Sequence, residues 1–347
     1  MRGKGINYDT GFFPGGHNSR EQFDPAVVRR EMQIIAAELH CTAVRVSGGD
    51  PERLSIAGEL AAAAGLEVWL APFPCELSPG ELSQVLADCA GRAERLRRSG
   101  AEVVLVTGCE ISLFNSGILP GGTVYERISG LTSRGPGTGA AFGAMPGRLN
   151  GFLAGVVTDA RRRFGGRITY ASGTWEPVDW TPFDIVAADA YRDADNAAGY
   201  AASLRQLTGH GKPAAVTEFG CCTYAGAAGR GGLGWAIADE HADPPRLNDD
   251  YVRDEAEQVR YLTELLPAFE EAGIDAAFWF TFAGYGQPHR DEPRADLDLA
   301  SYGVVKMLPG GPGTGREGLG WEPKLAFAAL ARAYQPAEAG TGEAPVT

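Results

Sequence analysis

The feature that most constrains the fold of this chain is a regular alternation of short apolar segments with longer amphipathic ones. Eight short segments rich in Val, Ile, Ala and aromatic residues alternate with stretches whose apolar residues recur at helical spacing. The eight predicted strands are 5–8, 42–46, 66–71, 103–110, 166–171, 184–190, 214–218 and 274–282. Alternation of this kind is typical of a parallel array of βα units.

A closed (β/α)8 barrel and an open doubly wound sheet both fit this order, and two observations favour the barrel. The GxGxxG turn that an open nucleotide-binding sheet would normally carry after its first strand is missing. Long glycine-rich segments (115–145, 221–248 and 285–320) follow strands, whereas the connections from helix to strand are single or paired glycines. We therefore predict a single-domain α/β protein, a (β/α)8 TIM barrel with long βα loops over residues 1–334, followed by a disordered tail at 335–347.

Two of the predicted strands end in glutamate. The strand at 103–110 reads VVLVTGCE and the strand at 214–218 reads AAVTE, so Glu110 and Glu218 stand at C-terminal strand ends. A strand paired on both sides leaves little room for a charge, so each carboxylate is expected at the rim. Because all strands of a parallel barrel end at the same mouth, the two carboxyls should meet there. Two carboxyls about 5 to 5.5 Å apart serve a retaining glycosidase, one as acid/base and one as nucleophile.

This layout resembles the retaining glycoside hydrolases of the (β/α)8 group called clan A, in which the acid/base glutamate ends strand four and the nucleophile ends strand seven. The resemblance implies that Glu110 is the acid/base and Glu218 the nucleophile. It also implies that Arg45 in the second strand contacts the nucleophile, that Tyr191 after the sixth strand hydrogen-bonds it, and that Trp279 in the eighth strand stacks under the bound sugar. The resemblance covers most of the chain as topology, and its specific motifs are these few residues.

Cys109 is a departure from the clan pattern. Members usually have asparagine immediately before the acid/base residue, where its amide binds the sugar 2-hydroxyl. A thiol is a weak donor and a poor acceptor. The contact with the 2-hydroxyl is therefore either lost or provided by another residue, which bears on the substrate range and on catalysis itself.

Other residues near the strand ends are candidates for substrate binding. Trp175 and Glu176 follow the fifth strand and would line the rim, although a solvated loop position is the alternative for Glu176. Asn7 and Asp9, at the end of the first strand, could bind a hydroxyl in a distal subsite. Trp235, after the seventh strand, is either a lid residue or part of the surface packing.

We predict no metal and no cofactor. The five histidines form neither HxH nor HExxH. The segments 135–139 and 310–315 resemble phosphate loops but lack the GK[ST] ending, so they are interpreted as flexible linkers. Cys221 and Cys222 are adjacent, with no histidine placed to activate them, and buried packing is the better interpretation.

The net charge argues against two classes of partner. At −13, it disfavours binding to nucleic acid or to an anionic membrane surface. No stretch approaches the ~18 apolar residues of a membrane span, and the N-terminus shows no apolar signal region. We therefore expect a cytoplasmic protein whose partner is a small-molecule glycoside or oligosaccharide.

Together these features predict a retaining glycoside hydrolase or transglycosidase that acts on a small soluble glycoside through two glutamates. Two alternatives of other classes stay open. One is a barrel that kept the sugar cleft but works as a binding or regulatory protein, which Cys109 and the long loops motivate. The other is a non-hydrolytic biosynthetic enzyme that uses the same two carboxylates.

Overall fold

The chain folds into a closed barrel of eight parallel strands surrounded by helices. The computed structural model describes residues 1–13, 16, 18–132, 138–239 and 242–336. Each barrel strand pairs with its neighbours along the chain, and the last pairs with the first, which closes the barrel. The strands, β1–β8, are Gly3–Asp9, Ala43–Gly48, Glu67–Pro72, Val103–Cys109, Arg167–Gly173, Val186–Asp189, Ala214–Phe219 and Ala276–Trp279. The predicted single-domain (β/α)8 barrel is confirmed, while residues 337–347 of the predicted tail lie outside the described residues.

Several of the helices begin at a residue whose side chain caps the helix N-terminus. The side chains of Asp24, Asp50 and Ser78 each accept a backbone N–H at the start of a helix whose first residue is proline. None of the described helices is long and apolar enough to cross a membrane. The helices, α1–α9, are Pro25–Ala37, Pro51–Ala63, Pro79–Arg98, Ile111–Phe114, Val124–Thr132, Thr138–Arg161, Tyr200–Thr208, Glu255–Ala272 and Leu325–Tyr334.

Alternation along the strands separates two apolar clusters. In β2, Val44 and Val46 belong to the cluster between strands and helices, whereas Ala43 belongs to the cluster inside the barrel. Trp69 and Phe278 fill the interior, with ring centroids 4.7 Å apart. The interior is therefore a packed core, and polar side chains are accommodated at its C-terminal end.

The strand register places two pairs of polar side chains next to each other on adjacent strands. Asn7 in β1 is the register partner of Arg45 in β2, and Asp189 in β6 is the partner of Glu218 in β7. Partners in adjacent parallel strands project toward the same face of the sheet. The barrel therefore brings together residues that are far apart in sequence.

The glycine-rich segments contain more regular structure than the sequence predicted. The segment 115–145 holds α5 and the beginning of α6, so the prediction of a continuous loop there is wrong. Buried side chains such as Val124 and Met145 join the outer core, and this packing outweighs the low helix propensity of glycine.

The loops after β7 and β8 also contain secondary structure. Residues Ala227–Ile237 form 3₁₀ turns, and a short hairpin follows them. A second sheet of three short strands forms after β8, from Ala283–Pro288, Val305–Met307 and Trp321–Pro323. These elements stand at the βα side of the barrel, where the long connections were predicted.

Candidate active site

Both carboxylate oxygens of Glu218 are held by side chains from other elements. Nη1 of Arg45 donates to Oε1 at 2.5 Å, and the hydroxyl of Tyr191 donates to Oε2 at 2.8 Å. Glu218 is 8% exposed, so a small part of it still reaches the mouth. The adjacent guanidinium favours the ionised carboxylate, and the two donors fix its orientation. The two contacts that the resemblance implied, from Arg45 and Tyr191, are present.

Arg45 is fully buried and is itself held by Asn7. Its Nη1 donates to Oδ1 of Asn7 at 2.8 Å, and Nδ2 of Asn7 donates to the carbonyl of Thr217 at 2.9 Å. Both polar ends of the Asn7 amide are therefore used inside the protein. The predicted role of Asn7 in a distal subsite is wrong, because this buried amide joins β1, β2 and β7 and positions Arg45.

Glu110 stands immediately after β4, where the chain turns sharply into α4. Gly108 has φ of 108°, and Glu110 itself adopts the left-handed conformation with φ of 41°. A non-glycine residue in this region is uncommon and marks a locally constrained backbone. Burial raises the pKa of the Glu110 carboxyl well above its usual range, and the neighbouring carboxyls, including Glu218, raise this pKa further. Glu110 is thus suited to hold a proton above the pH range in which an ordinary glutamate loses it.

Glu176 supports the turn that carries Glu110. Its carboxylate accepts hydrogen bonds from the backbone N–H of Ser112 and of Gly173, both at 3.0 Å, and from the hydroxyl of Tyr170 at 2.8 Å. The residue is 7% exposed. It is neither a solvated loop residue nor free to bind substrate, so its predicted place in a subsite is wrong. Its acceptors are occupied in fixing α4 against the end of β5.

Trp175 lies beside Glu176 and stays a candidate for substrate binding. It is half-buried, and its indole Nε1 donates to the hydroxyl of Ser112 at 3.1 Å. This bond orients the ring at the mouth, next to the turn that carries Glu110. Its predicted part in a subsite remains a prediction.

The loss of Glu176 gives a first testable expectation, since three donors would lose their acceptor. Glu176→Ala should lower the free energy of unfolding by about 2–4 kcal/mol, because each buried donor left unsatisfied costs ~1–3 kcal/mol. Urea denaturation followed by circular dichroism measures this change. Glu59→Ala, at an exposed position on α2, is the matched control and should change stability by less than ~0.5 kcal/mol. Equal stability of the two variants would contradict the supporting role of Glu176.

Trp279 does not lie where the resemblance placed it. The side chain is fully buried in the layer between barrel and helices, its ring packs on Phe219 and Tyr261, and its Nε1 donates to the carbonyl of Tyr302 at 3.1 Å. Stacking under a sugar requires an exposed ring face, so this prediction is wrong. Phe280, one residue later and half-buried, contacts Tyr191 with ring centroids 6.4 Å apart. Phe280, directly after β8, is the aromatic residue from this part of the chain that lies beside the site.

Asp189 is the residue of the site that sequence reasoning missed. It ends β6 and is 3% exposed. Its Oδ2 lies 3.3 Å from Sγ of Cys109, and that sulfur lies 3.8 Å from Oε1 of Glu218. A partial signal was present in the sequence, because Asp189 is a charged residue one position before the end of the apolar segment predicted as strand 184–190. Cys109 is buried and contacts Asp189 and Glu218.

The expectation that the chain needs no metal or cofactor stays a prediction. Three side chains each bring one atom that could bind a metal ion to within 4.8 Å of the others, namely those of Cys109, Asp189 and Glu218. The guanidinium of Arg45 already provides a positive charge to this group. Cys221 and Cys222 are both fully buried, which confirms the interpretation of their packing.

Comparisons with known proteins agree with the architecture. No family model and no curated protein matches the chain. Among solved structures, a GH113 β-mannanase from Alicyclobacillus acidocaldarius in complex with ManMIm is 18% identical, with a TM-score of 0.61 over 96% of this chain and 97% of that one. A second GH113 β-1,4-mannanase is 13% identical, with a TM-score of 0.61 over 96% and 98% of the two chains. A β-glucuronidase from Parabacteroides merdae is 12% identical, with a TM-score of 0.59, and this chain matches 37% of its length. The likeness shows a shared fold.

Proposed function

We propose that this protein is a retaining glycoside hydrolase or transglycosidase with Glu218 as nucleophile and Glu110 as acid/base. The observation that carries the proposal is the contrast between the two carboxyls. Glu218 is paired with Arg45 and Tyr191, which stabilise a carboxylate, whereas the site around Glu110 raises the pKa of that carboxyl. Two carboxyls whose surroundings favour opposite protonation states are what double displacement requires.

The proposed cycle has two displacements at the anomeric carbon. Glu218 attacks this carbon while the bond to the leaving oxygen breaks, and Glu110 gives its proton to that oxygen. Formation of the glycosyl ester removes the negative charge of Glu218, so the pKa of Glu110 falls and the residue can act as a base. Glu110 then takes a proton from water, or from an acceptor alcohol in a transfer reaction, as that oxygen attacks the anomeric carbon. The ester bond breaks, and Glu218 leaves as a carboxylate.

The proposed substrate is a small soluble β-glycoside or oligosaccharide. The protein would act on it in the cytoplasm, without a metal or a cofactor. The support comes from the structural neighbours, which are described as a β-mannanase, a β-glucosidase and a β-glucuronidase. The pair of glutamates on strands four and seven belongs to this chain itself. The two features together favour a β-linked sugar as the first substrate to test.

A panel of aryl β-glycosides tests the proposal directly. Mannoside, glucoside and glucuronide are incubated with the protein, and release of the phenol is measured by absorbance. The anomer formed first is identified by proton NMR, and retention is expected. Glu218→Gln, purified in parallel, must be inactive, which excludes a contaminating glycosidase. An inverted first product would contradict the double displacement.

A sugar-binding barrel without catalysis is the second candidate, and Cys109 is the observation that favours it. The residue occupies the position where clan members usually carry the asparagine that binds the 2-hydroxyl. Calorimetric binding of mono- and oligosaccharides by a protein that is inert on the whole panel would support this candidate. The non-hydrolytic biosynthetic enzyme would show neither hydrolysis nor simple sugar binding.

A further inference from the structure

Asp189 is a buried carboxyl that the proposed cycle does not use. It is the register partner of Glu218 on the adjacent strand. Its Oδ2 is 3.3 Å from Sγ of Cys109, and this sulfur is 3.8 Å from Oε1 of Glu218. The three residues therefore form a continuous line of contacts from Asp189 through the thiol to the proposed nucleophile.

The charges around Asp189 do not balance if every carboxyl is ionised. Arg45 contributes one positive charge to a site that holds the carboxyls of Glu110, Asp189 and Glu218, with a fourth buried carboxyl, that of Glu176, near Glu110. Unpaired charge in a buried site is costly, so the site favours a state in which some carboxyls keep their proton. The titratable and charged groups that face Asp189 come from four parts of the barrel: Arg45 from β2, Cys109 from β4 with Glu110 directly after it, Tyr191 from the turn after β6, and Glu218 from β7.

The contacts of Arg45 indicate which carboxyl is ionised. Its Nη1 donates to Oε1 of Glu218 at 2.5 Å. Among the described residues, Nε and Nη2 of Arg45 and Oδ1 of Asp189 have no hydrogen-bond partner. An ionised Asp189 beside a buried guanidinium with free N–H groups would be expected to pair with it. Burial and the charge of Glu218 also raise the pKa of Asp189 well above its usual range, in agreement with a neutral carboxyl.

The thiol of Cys109 is neutral on the same grounds. Burial raises the pKa of this thiol well above its usual value, and the nearby carboxyls raise it further. A neutral thiol has one hydrogen to donate and a sulfur that accepts weakly. Cys109 can therefore accept from one neighbour and donate to the other.

We propose that Asp189 keeps a proton and donates a hydrogen bond to Sγ of Cys109, so that the thiol hydrogen points to Oε1 of Glu218. Asp189 is then a positioning residue, since it acts on the nucleophile through Cys109 and does not touch the substrate. Successive donors in such a chain polarise one another, which strengthens the weak thiol donor. The role toward Glu218 rests on the proposed function, whereas the protonation of Asp189 does not.

Two substitutions of Asp189 test the proposed hydrogen bonds from Asp189 through Cys109 to Glu218. Asp189→Asn keeps an N–H donor in nearly the same place, so kcat/KM on an aryl glycoside should stay within about threefold of wild type. Asp189→Ala removes the donor and should lower kcat/KM about 10- to 100-fold, the range for a lost hydrogen bond to a charged group. Asp195→Asn, exposed in the loop after β6, is the matched control and should match wild type.

Cys109 variants test the same series of hydrogen bonds at its central residue. Cys109→Ser keeps a group that accepts and donates, and should behave as Asp189→Asn does. Cys109→Ala should lose as much activity as Asp189→Ala, and the double alanine variant should be no worse than either single variant. If Asp189→Ala does not fold, as judged by near-ultraviolet circular dichroism, Cys109→Ala decides the question alone.

The pH profile separates Asp189 from Glu110 when the leaving group is dinitrophenyl, which needs no proton. With this substrate, wild type should lose kcat/KM at high pH as Asp189 loses its proton. Asp189→Asn has no such proton, so its profile should lack that limb. Burial raises the pKa of Tyr191 well above its usual value, which keeps this hydroxyl protonated through the same interval. The same decline of kcat/KM at high pH in wild type and in Asp189→Asn would contradict the proposal.

Infrared difference spectroscopy reads the protonation of Asp189 without any turnover. The spectrum of wild type minus Asp189→Asn at neutral pH should contain the carbonyl stretch of a protonated carboxylic acid. A carboxylate band in its place overturns the proposal, as does equal loss of activity in the Asn and Ala variants, because both results indicate an ionised Asp189. Unchanged activity of Asp189→Ala overturns the positioning role. The acid band in a wild type that turns over no glycoside would remove the proposed function and still support the protonated Asp189.

Discussion

Replacing Glu218 by alanine is expected to abolish turnover of every glycoside that the wild type hydrolyses, with a fall in kcat of at least about 10⁴-fold. Without the carboxylate no glycosyl ester can form, so the loss should not depend on the leaving group. Steady-state kinetics on aryl glycosides of graded leaving-group ability measure this. A loss that shrinks as the leaving group improves would contradict the role of nucleophile.

The structure shows why stability must be measured in the same experiment. Glu218 is the acidic partner of the fully buried Arg45, and removing one member of a buried ion pair typically costs ~3–5 kcal/mol of stability. Glu218→Gln keeps an oxygen that can accept from Arg45 and should be affected less. Comparable loss of activity in a stable Gln variant and in the Ala variant assigns the effect to chemistry. Glu59→Ala, at an exposed position, is the control for effects of mutagenesis and purification on activity and stability.

The glutamates were predictable because each stands at or near the end of a strand whose apolar pattern is unambiguous. Val103–Cys109 and Ala214–Phe219 are buried throughout, so a carboxylate at their C-terminal ends has few places other than the barrel mouth. Arg45 was predicted from the resemblance to clan A, and the alternation in β2 explains its position, since a charged residue between two outward-facing valines points into the barrel.

The errors at the other strands come from strand ends that the sequence did not locate. The eighth strand was predicted over 274–282, but it is Ala276–Trp279, in which Phe278 faces inward and Trp279 faces the helices. The sixth strand was predicted to run to residue 190, which placed Asp189 inside the strand rather than at its end. A shift of one residue exchanges the inner and outer faces, so small errors in position change a residue's role completely.

Glu176 and Asn7 could not have been placed from sequence for a different reason. Their partners are Ser112, Arg45 and Thr217, which are 64, 38 and 210 positions away in the chain. Polar residues at strand ends look alike in sequence whether they face a ligand or satisfy the backbone of another loop. Only the tertiary contacts show that these two amide and carboxyl groups are already occupied.

Replacing Glu110 by alanine should give a selective defect. A glycoside with a dinitrophenyl leaving group needs no proton in the first step, so glycosylation should survive and the covalent intermediate should accumulate as a burst of released phenol. Substrates with poor leaving groups should lose about 10²- to 10⁴-fold in kcat/KM, the usual contribution of general acid catalysis. Rapid-mixing absorbance with both substrate types measures the contrast.

Azide then distinguishes a lost base from a damaged site. Azide is a small anion that attacks the glycosyl ester without a general base, so it should restore turnover of the Glu110 variant with a product of retained configuration. In the Glu218 variant no ester forms, so any azide product should come from direct attack on the substrate and have the inverted configuration. A β-glycosyl azide from a β-glycoside, identified by NMR, would support retention and both roles together.

The pH dependence of kcat/KM tests the role of Glu110 independently. Burial and the neighbouring carboxyls raise the pKa of Glu110 above the usual glutamate range, so wild-type kcat/KM on poor leaving groups should fall as pH rises through this raised pKa. Glu110→Ala should keep only the decline at high pH that wild type also shows with the dinitrophenyl substrate, and any larger decline in this variant would assign the proton to another residue.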